Sequence, residues 1–232
     1  MSGRRLILLR HGRTAWNDTG RAQGHADVEL DAVGLEQAAA AAPYLSSLEP
    51  AALWSSDLAR ARQTCAPLEQ ATGLAAKYDA RLREFDVGAR EGMTFAEFEQ
   101  SFPAEFASWV AGDDTARVPG AEVAADVEQR VVPALREALE TLRDDETGIV
   151  VMHGACIKVG LIALLGWPPS TYATIHGMDN CGWATLEEYD AIGGLRLVGY
   201  NESVRPGHHA PAGRPPRRRV NLPDFASGGG VG

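Results

Sequence analysis

Residues 5–12 read RLILLRHG, and this segment decides how the chain is interpreted. Four apolar residues in succession, with charge on both sides, are typical of a short strand that helices cover on both faces. The polar tripeptide Arg10-His11-Gly12 follows at the carboxyl end of that strand. Sites in sheets of this kind form beyond the carboxyl ends of the strands, so the tripeptide is expected to face a site.

Apolar strands and amphipathic helices alternate along the rest of the chain. Further strands are predicted at residues 51–55, 75–78, 148–152, 183–187 and 196–199. Helices are predicted at residues 31–48, 58–72, 94–110, 121–142 and 155–165, the third divided at Pro103. This alternation predicts an α/β fold with three layers, α/β/α, around a mainly parallel central sheet. His153 and Gly154 follow one of these strands, which places them on the same edge as His11.

Length and composition limit the classes of protein. The chain has 232 residues, 45% of them hydrophobic, and a net charge of -9. We expect one catalytic domain at residues 1–204 and no general affinity for nucleic acid. No run approaches the roughly 18 uncharged apolar residues of a membrane span, so we expect a cytoplasmic protein without membrane contact. Residues 205–232 are rich in Pro, Arg and Gly and are predicted to be a disordered tail.

Cysteine and histidine spacing gives no sign of a metal site. Cys65, Cys156 and Cys181 have no paired spacing, which favours free thiols over a disulfide or a zinc site. His25 and His176 likewise have no partner at the spacing of metal ligands. We therefore predict neither a metal nor a cofactor.

The segment around His11 resembles the N-terminal motif of the histidine phosphatase superfamily, the phosphoglycerate mutase-like proteins. It comprises residues 9–14, LRHGRT, followed by Asn17, Gln23 and Gly24. The resemblance extends over about residues 4–200 and implies the phosphoglycerate mutase-like fold. It also implies that His11 is the nucleophile and that Asn17, Gln23 and Gly24 bind the substrate.

The chemistry of phosphoryl transfer explains why a histidine suits this position. A neutral imidazole nitrogen can attack phosphorus, and covalent capture divides one difficult step into two easier ones. Glycine at position 12 is expected to leave room for the phosphoryl group beside His11. It should also let the second ring nitrogen reach a backbone acceptor that fixes the tautomer.

Two arginines are candidates for stabilising the phosphoryl group. Its negative charge is spread over several oxygens during transfer, so a site without metal needs fixed cations or donors. Arg10 is adjacent to His11, and Arg60 lies in residues 55–64, SSDLARARQT, which resemble the second motif of the superfamily. The planar guanidinium of Arg60 can hold two phosphate oxygens. Both arginines are therefore predicted to be catalytic and to bind substrate.

A second histidine and a carboxylate complete the predicted site. His153 and Gly154 match the superfamily's second histidine motif and are expected to bind phosphate, His153 as a further cation if it is protonated. Glu84 matches the Leu-x-Glu motif and is the candidate for giving a proton to the departing alkoxide and later taking one from water. Asp86 is a rival carboxylate.

Two reactions and one inactive role remain open. A phosphatase lets water discharge the phosphohistidine, whereas a cofactor-dependent mutase returns the phosphoryl group to a second hydroxyl of the substrate. Residues 85–94, FDVGAREGMT, resemble the phosphatase branch and lack the long mutase insertion. We therefore predict a metal-independent phosphatase, with phosphoglycerate mutase as the alternative. An inactive scaffold would lack the nucleophile or the acid, and neither is missing here.

The substrate is predicted to be a small phosphorylated metabolite. The overall pattern, including residues 177–180, GMDN, is similar to that of actinobacterial phosphatases that act on glucosyl-3-phosphoglycerate. This similarity implies a sugar or glycerate phosphate. The sequence leaves a homodimer open as the assembly.

Overall fold

A computed structural model describes residues 3–112, 117–189, 191 and 193–204 of the chain. The tail predicted at residues 205–232 lies outside the described residues. The described strands are β1 (Arg5–Arg10), β2 (Ala52–Ser55), β3 (Lys77–Tyr78), β4 (Thr147–Met152), β5 (Trp183–Tyr189) and β6 (Gly194–Glu202). The α-helices are α1 (Ala15–Asp18), α2 (Ala32–Ser46), α3 (Ala59–Thr72), α4 (Phe95–Ser101), α5 (Pro103–Ala111), α6 (Ala124–Thr141) and α7 (Gly154–Leu164).

The strands form one sheet of mixed direction in the order β3-β2-β4-β1-β5-β6. The first four strands in this order run parallel, whereas β5 pairs antiparallel with both β1 and β6. The predicted α/β class and the mainly parallel sheet are therefore confirmed. The third strand is shorter than residues 75–78, because only Lys77 and Tyr78 pair with β2.

Side chains of the central strands alternate between two apolar cores, as the pleat of a strand requires. Ile7 and Leu9 of β1 pack with buried residues of α2 and α3 on one face of the sheet. Leu6 and Leu8 pack with buried residues of α6 and α7 on the other face. Because helices cover both faces of the sheet, the side chains on both sides of β1 and β4 are apolar. This pattern predicted the two strands. The three layers are thus present.

Helix boundaries follow local capping chemistry. Asp31 accepts a hydrogen bond from the backbone N–H of Gly34 and so begins α2, as the sequence predicts. Pro103 begins α5 one residue after the end of α4, at a position where its missing N–H costs nothing. The predicted helix at residues 121–142 begins later, at Ala124. Ala121 forms a bridge with Val87, and the backbone N–H of Glu122 donates to the carbonyl oxygen of Asp86.

The strand register brings the ends of β1, β2 and β4 together. Arg10 pairs with Met152, so His11 and His153 leave neighbouring parallel strands at the same level. Ser55 pairs with Val151, so Ser56 leaves β2 beside them. Among the described residues, no helix is both long and apolar enough to span a membrane.

Candidate active site

His11 is almost fully buried and is held as one neutral tautomer. Its Nδ1 lies 2.7 Å from the carbonyl oxygen of Gly12. A carbonyl can only accept, so Nδ1 carries the proton and Nε2 keeps its lone pair. Burial lowers the pKa of His11 well below its usual value, and the positive charges of Arg60 and Arg10 lower it further. The ring is therefore neutral and can act as a nucleophile at neutral pH.

Gly12 is required for a reason that differs from the sequence interpretation. A Cβ at this position would lie 2.6 Å from the carbonyl oxygen of Gly34, near the start of α2. A Cβ on Gly34 would in turn lie 2.0 Å from the carbonyl oxygen of Arg13. Close contact between these two backbone segments, rather than room for a phosphoryl group, excludes a side chain at Gly12. The expected backbone acceptor for His11 is confirmed, since the Gly12 carbonyl provides it.

His153 is fully buried behind His11, with both ring nitrogens in hydrogen bonds. Nε of Arg60 donates to its Nδ1 at 3.1 Å, and its Nε2 lies 2.9 Å from Oγ of Ser56. Its ring centroid lies 5.1 Å from that of His11. Burial, followed by the positive charge of Arg60, lowers the pKa of His153 well below its usual value. A protonated, cationic His153 therefore does not fit this geometry.

Arg60 is fully buried and holds the loop that contains Gly24 and Ala26. Its Nη1 donates to the carbonyl oxygen of Ala26 at 2.7 Å, and its Nη2 donates to that of Gly24 at 2.8 Å. Each arm gives one hydrogen to a backbone carbonyl, so one N–H of each arm remains for a ligand. The expectation that this fork holds two phosphate oxygens stays a prediction.

Arg10 lies against the N-terminus of α7. Its Nη1 donates to the carbonyl oxygen of Met178, and its Nε is buried without a hydrogen-bond partner in the described part of the chain. A Cβ on Gly154 would lie 3.3 Å from this Nε, so glycine gives Arg10 its space. Burial lowers the pKa of Arg10, and the nearby negative charges of Glu84 and Asp179 oppose the shift. A buried donor without a partner is costly and suits a bound oxyanion.

Glu84 is fixed by three backbone N–H groups. Its Oε1 accepts from Phe85 and Cys156 and its Oε2 accepts from Ala155, each at 3.0 Å. Two of these donors belong to the first turn of α7, whose N–H groups have no partner within the helix. Arg130 of α6 holds the backbone at this point by donating to the Glu84 carbonyl oxygen at 2.8 Å. Helices α6 and α7 thus hold Glu84 in place, although both lie far from it in the sequence.

The predicted substrate-binding amides, Asn17 and Gln23, both face the pocket. Oδ1 of Asn17 accepts from the backbone and hydroxyl of Thr14 and from Nδ2 of Asn180. Its own Nδ2 makes no hydrogen bond within the described residues and is available to a ligand. Oε1 of Gln23 is buried without a partner there. Gly24 has a φ of +53°, and a Cβ on it would lie 2.6 Å from Cγ2 of Val87.

These groups line a pocket of about 810 Å³. Seven of the predicted site residues contribute to its wall: Arg10, His11, Asn17, Gln23, Gly24, Arg60 and Glu84. His153 and Gly154 do not line it, because the imidazole is enclosed by Arg60 and Ser56 and the glycine lies under Arg10. Asp86 does line the pocket, but its Oδ1 accepts from the N–H of Gly88.

Three residues of the site escaped the sequence interpretation: Ser56, Arg90 and Arg130. Ser56 follows a strand just as His11 and His153 do, and that position was a usable signal. Arg130 lies among the buried positions of α6, three residues after Val127, where a charged side chain is unusual. Arg90 gave no such signal, since only the folded chain brings it to the pocket wall.

The described part of the chain contains no group of three or more His, Cys, Asp or Glu residues that could hold a metal ion. The positive charge near His11 comes instead from Arg10 and Arg60. Fixed guanidinium groups can provide the charge stabilisation that phosphoryl transfer needs.

Known proteins are similar to this chain over most of its length. Glucosyl-3-phosphoglycerate phosphatase of Mycolicibacterium vanbaalenii is 37% identical over 193 residues, covering 80% of this chain and 85% of that protein. A probable phosphoglycerate mutase of Salmonella paratyphi C is 33% identical over 182 residues, covering 78% and 84%. The solved structure of mycobacterial glucosyl-3-phosphoglycerate phosphatase in complex with VO3 superposes with a TM-score of 0.79 and 34% identity, over 86% of this chain and 100% of that one.

The sequence model described as histidine phosphatase superfamily (branch 1) matches residues 6–202, more than half of the chain. This range includes every strand and helix of the described structure, apart from the first residue of β1. The chain therefore belongs to the histidine phosphatase superfamily.

Proposed function

We propose that this chain is a phosphatase that transfers the phosphoryl group of a phosphomonoester to Nε2 of His11 and then to water. One observation carries the proposal: the buried ring of His11 is neutral, its Nδ1 is committed to Gly12, and it lines a pocket shared with Arg10, Arg60 and Glu84. A nucleophile, two cations and a carboxylate are the groups that a metal-independent phosphohistidine mechanism requires.

In the first step, Nε2 of His11 attacks phosphorus and the ester P–O bond breaks. The lone pair of Nε2 forms the new N–P bond, and the ester bond's electrons leave on the alkoxide oxygen. Protonated Glu84 gives its proton to that oxygen, so an alcohol departs. The free N–H groups of Arg10 and Arg60 are available to neutralise charge on the phosphoryl oxygens.

In the second step, water attacks the phosphohistidine. The Glu84 carboxylate takes a proton from that water, the N–P bond breaks, and its electrons return to Nε2 of His11. Inorganic phosphate leaves, and both His11 and Glu84 recover their starting protonation states. The cycle thus needs no other reactant than the ester and water.

Relatives support a sugar or glycerate phosphate as substrate. The mycobacterial proteins similar to this chain are named glucosyl-3-phosphoglycerate phosphatases, and they match it over most of both chains. The pocket extends from His11 to aromatic residues of α4 and α5 and has room for more than a phosphate. We therefore propose glucosyl-3-phosphoglycerate or a related small phosphorylated metabolite.

Phosphate release in the presence of EDTA tests the proposal. The protein should hydrolyse p-nitrophenyl phosphate and glucosyl-3-phosphoglycerate with EDTA present, and rapid acid-free quenching should trap a phosphoramidate on His11. The variant His11→Ala should release no phosphate and carry no phosphoryl group, while its circular dichroism spectrum stays unchanged. A His11→Ala protein that still becomes phosphorylated would exclude this nucleophile.

A mutase is the second candidate, because a probable phosphoglycerate mutase is among the relatives. A mutase would isomerise 3-phosphoglycerate when a bisphosphoglycerate primer is added and would release little phosphate. We expect phosphate release with or without the primer. Faster isomerisation than hydrolysis would reverse this choice.

A further inference from the structure

We propose that Arg90 binds a carboxylate of the substrate, so that the preferred substrates are phosphomonoesters of hydroxy acids. The inference rests on the proposed function, since the phosphoryl group would occupy the same pocket beside His11. Arg90 and His11 both contribute to the wall of that pocket.

Arg90 is held by aromatic rings rather than by an acid. It ends a short 3₁₀ turn, Gly88–Arg90, and its side chain lies over the α4–α5 pair. Its Cζ lies 4.9 Å from the ring centroid of Phe98 and 5.5 Å from that of Trp109. Aromatic faces attract a guanidinium and fix its plane while leaving its N–H edges free for hydrogen bonds.

The positive charge of Arg90 has no acidic partner in the described part of the chain. Two other arginines of the pocket are paired, Arg21 with Glu97 and Arg117 with Asp126. Burial lowers the pKa of Arg90, and the group that opposes the shift is Tyr172 rather than an Asp or Glu. A partly buried cation without a counterion is costly unless a ligand supplies the missing negative charge.

The carboxylates along the same wall are committed elsewhere or do not pair with Arg90. Glu84 accepts from the first turn of α7, and both oxygens of Glu122 accept from Arg130. Glu105 of α5 also lines the pocket, yet it forms no ion pair with Arg90 among the described residues. The described part of the chain therefore contains no carboxylate that pairs with Arg90 before an anion arrives.

A carboxylate fits this guanidinium better than a neutral group does. Its two oxygens match the planar N–H pairs of arginine, which gives two parallel, charge-assisted hydrogen bonds. With the phosphoryl group near Arg10 and Arg60, a substrate carrying a separate carboxylate would satisfy both cationic parts of the pocket. The glycerate group in the names of the mycobacterial relatives is a phosphorylated hydroxy acid.

Two substrates that differ in this one group test the inference. In 3-phosphoglycerate a carboxylate stands where glycerol 3-phosphate has a hydroxymethyl group, and the phosphate ester is the same. We expect kcat/KM of the full-length chain to favour 3-phosphoglycerate. The variant Arg90→Gln should reduce the ratio of the two kcat/KM values about 30-fold, the range of a lost charge-assisted hydrogen bond.

Two further variants separate binding from a structural role. Arg62 lies with its Cζ 4.6 Å from the ring centroid of Tyr78, outside the pocket, so Arg62→Gln removes a similar cation–aromatic contact. We expect this variant to leave the ratio unchanged. Arg90→Lys keeps the charge but loses the planar fork, so the ratio should fall between those of the wild type and Arg90→Gln.

The outcomes distinguish this inference from the proposed function. If the wild-type protein hydrolyses neither these two esters nor p-nitrophenyl phosphate, the proposed function fails. If it hydrolyses them without preference for 3-phosphoglycerate, the inference about Arg90 is wrong although the enzyme is active. An equal loss for both esters in Arg90→Gln would likewise overturn it, because Arg90 would then act only on the fold.

Discussion

Nε of Arg60 donates a 3.1 Å hydrogen bond to Nδ1 of His153, and this contact fixes the charge of the second histidine. A guanidinium can only donate, so Nδ1 must keep its lone pair and the proton must be on Nε2, facing Ser56. His153 is therefore a neutral part of the frame behind His11. The cations that remain near a phosphoryl group are Arg10 and Arg60.

The two histidines should be opposite tautomers that resist protonation. Burial and the arginine charges lower the pKa values of both His11 and His153 well below the usual 6.5. We expect ring ¹⁵N spectra to show the Nδ1–H form of His11 and the Nε2–H form of His153, both persisting as the pH falls below 6.5. A signal from either ring that titrates near 6.5 would contradict this assignment.

The same shifts predict how stability depends on pH. Above pH 6.5 both histidines are neutral whether the chain is folded or unfolded, so they add no pH dependence. Below it the unfolded chain binds their protons first, and the free energy of unfolding should fall by about 1.4 kcal/mol per pH unit for each histidine. Urea unfolding of wild type and His11→Asn between pH 7.5 and 5 measures this, and the variant should lose about half of the slope. Equal slopes would refute the prediction.

Arg130 should position Glu84 without touching the substrate. It donates to the carbonyl oxygens of Arg81, Arg83 and Glu84 and to both carboxylate oxygens of Glu122. Its removal would release the Glu84 segment and leave Glu122 partly buried and unpaired. We expect Arg130→Gln to lower kcat by about 100-fold, with little change in KM, because a shift of about 1 Å in a catalytic group has that effect.

Arg81 offers the matched control for Arg130. It also binds a carboxylate of α6, with its Nη1 and Nη2 donating to Glu137, but this pair is exposed. Exposed pairs contribute little, so Arg81→Gln should leave kcat unchanged. If Arg130→Gln changed only the midpoint of thermal unfolding and kept full kcat, Arg130 would have no role in placing Glu84.

Gly12→Ala should damage the fold at the point where β1 meets α2. The added Cβ would lie 2.6 Å from the Gly34 carbonyl oxygen, so the backbone must move. We expect a loss of about 1–3 kcal/mol in the free energy of unfolding, typical of an overpacked site, together with lower activity. Gly177→Ala is the control, because nothing lies within 4 Å of its Cβ position. Equal stability of the two variants would argue against this contact.

Part of the site was predictable because a buried strand can be identified from the apolar residues of its own short segment. The apolar run before His11 and the one before His153 identify buried parallel strands, and parallel strands present their carboxyl ends at one edge. Motif resemblance supplied Arg60 and Glu84. Seven of the predicted site residues line one pocket, while their roles in catalysis and binding remain predictions.

Tertiary structure alone decided the rest, because hydrogen-bond partners and burial depend on residues far apart in the chain. His153 is neutral because Arg60, 93 residues away, donates to it, and no spacing rule carries that information. Gly12 is required by Gly34, and Glu84 is held by α7 and Arg130. Sequence determined the strands, the helices and the list of reactive side chains. Folding determined which of those side chains face the pocket and which proton each histidine keeps.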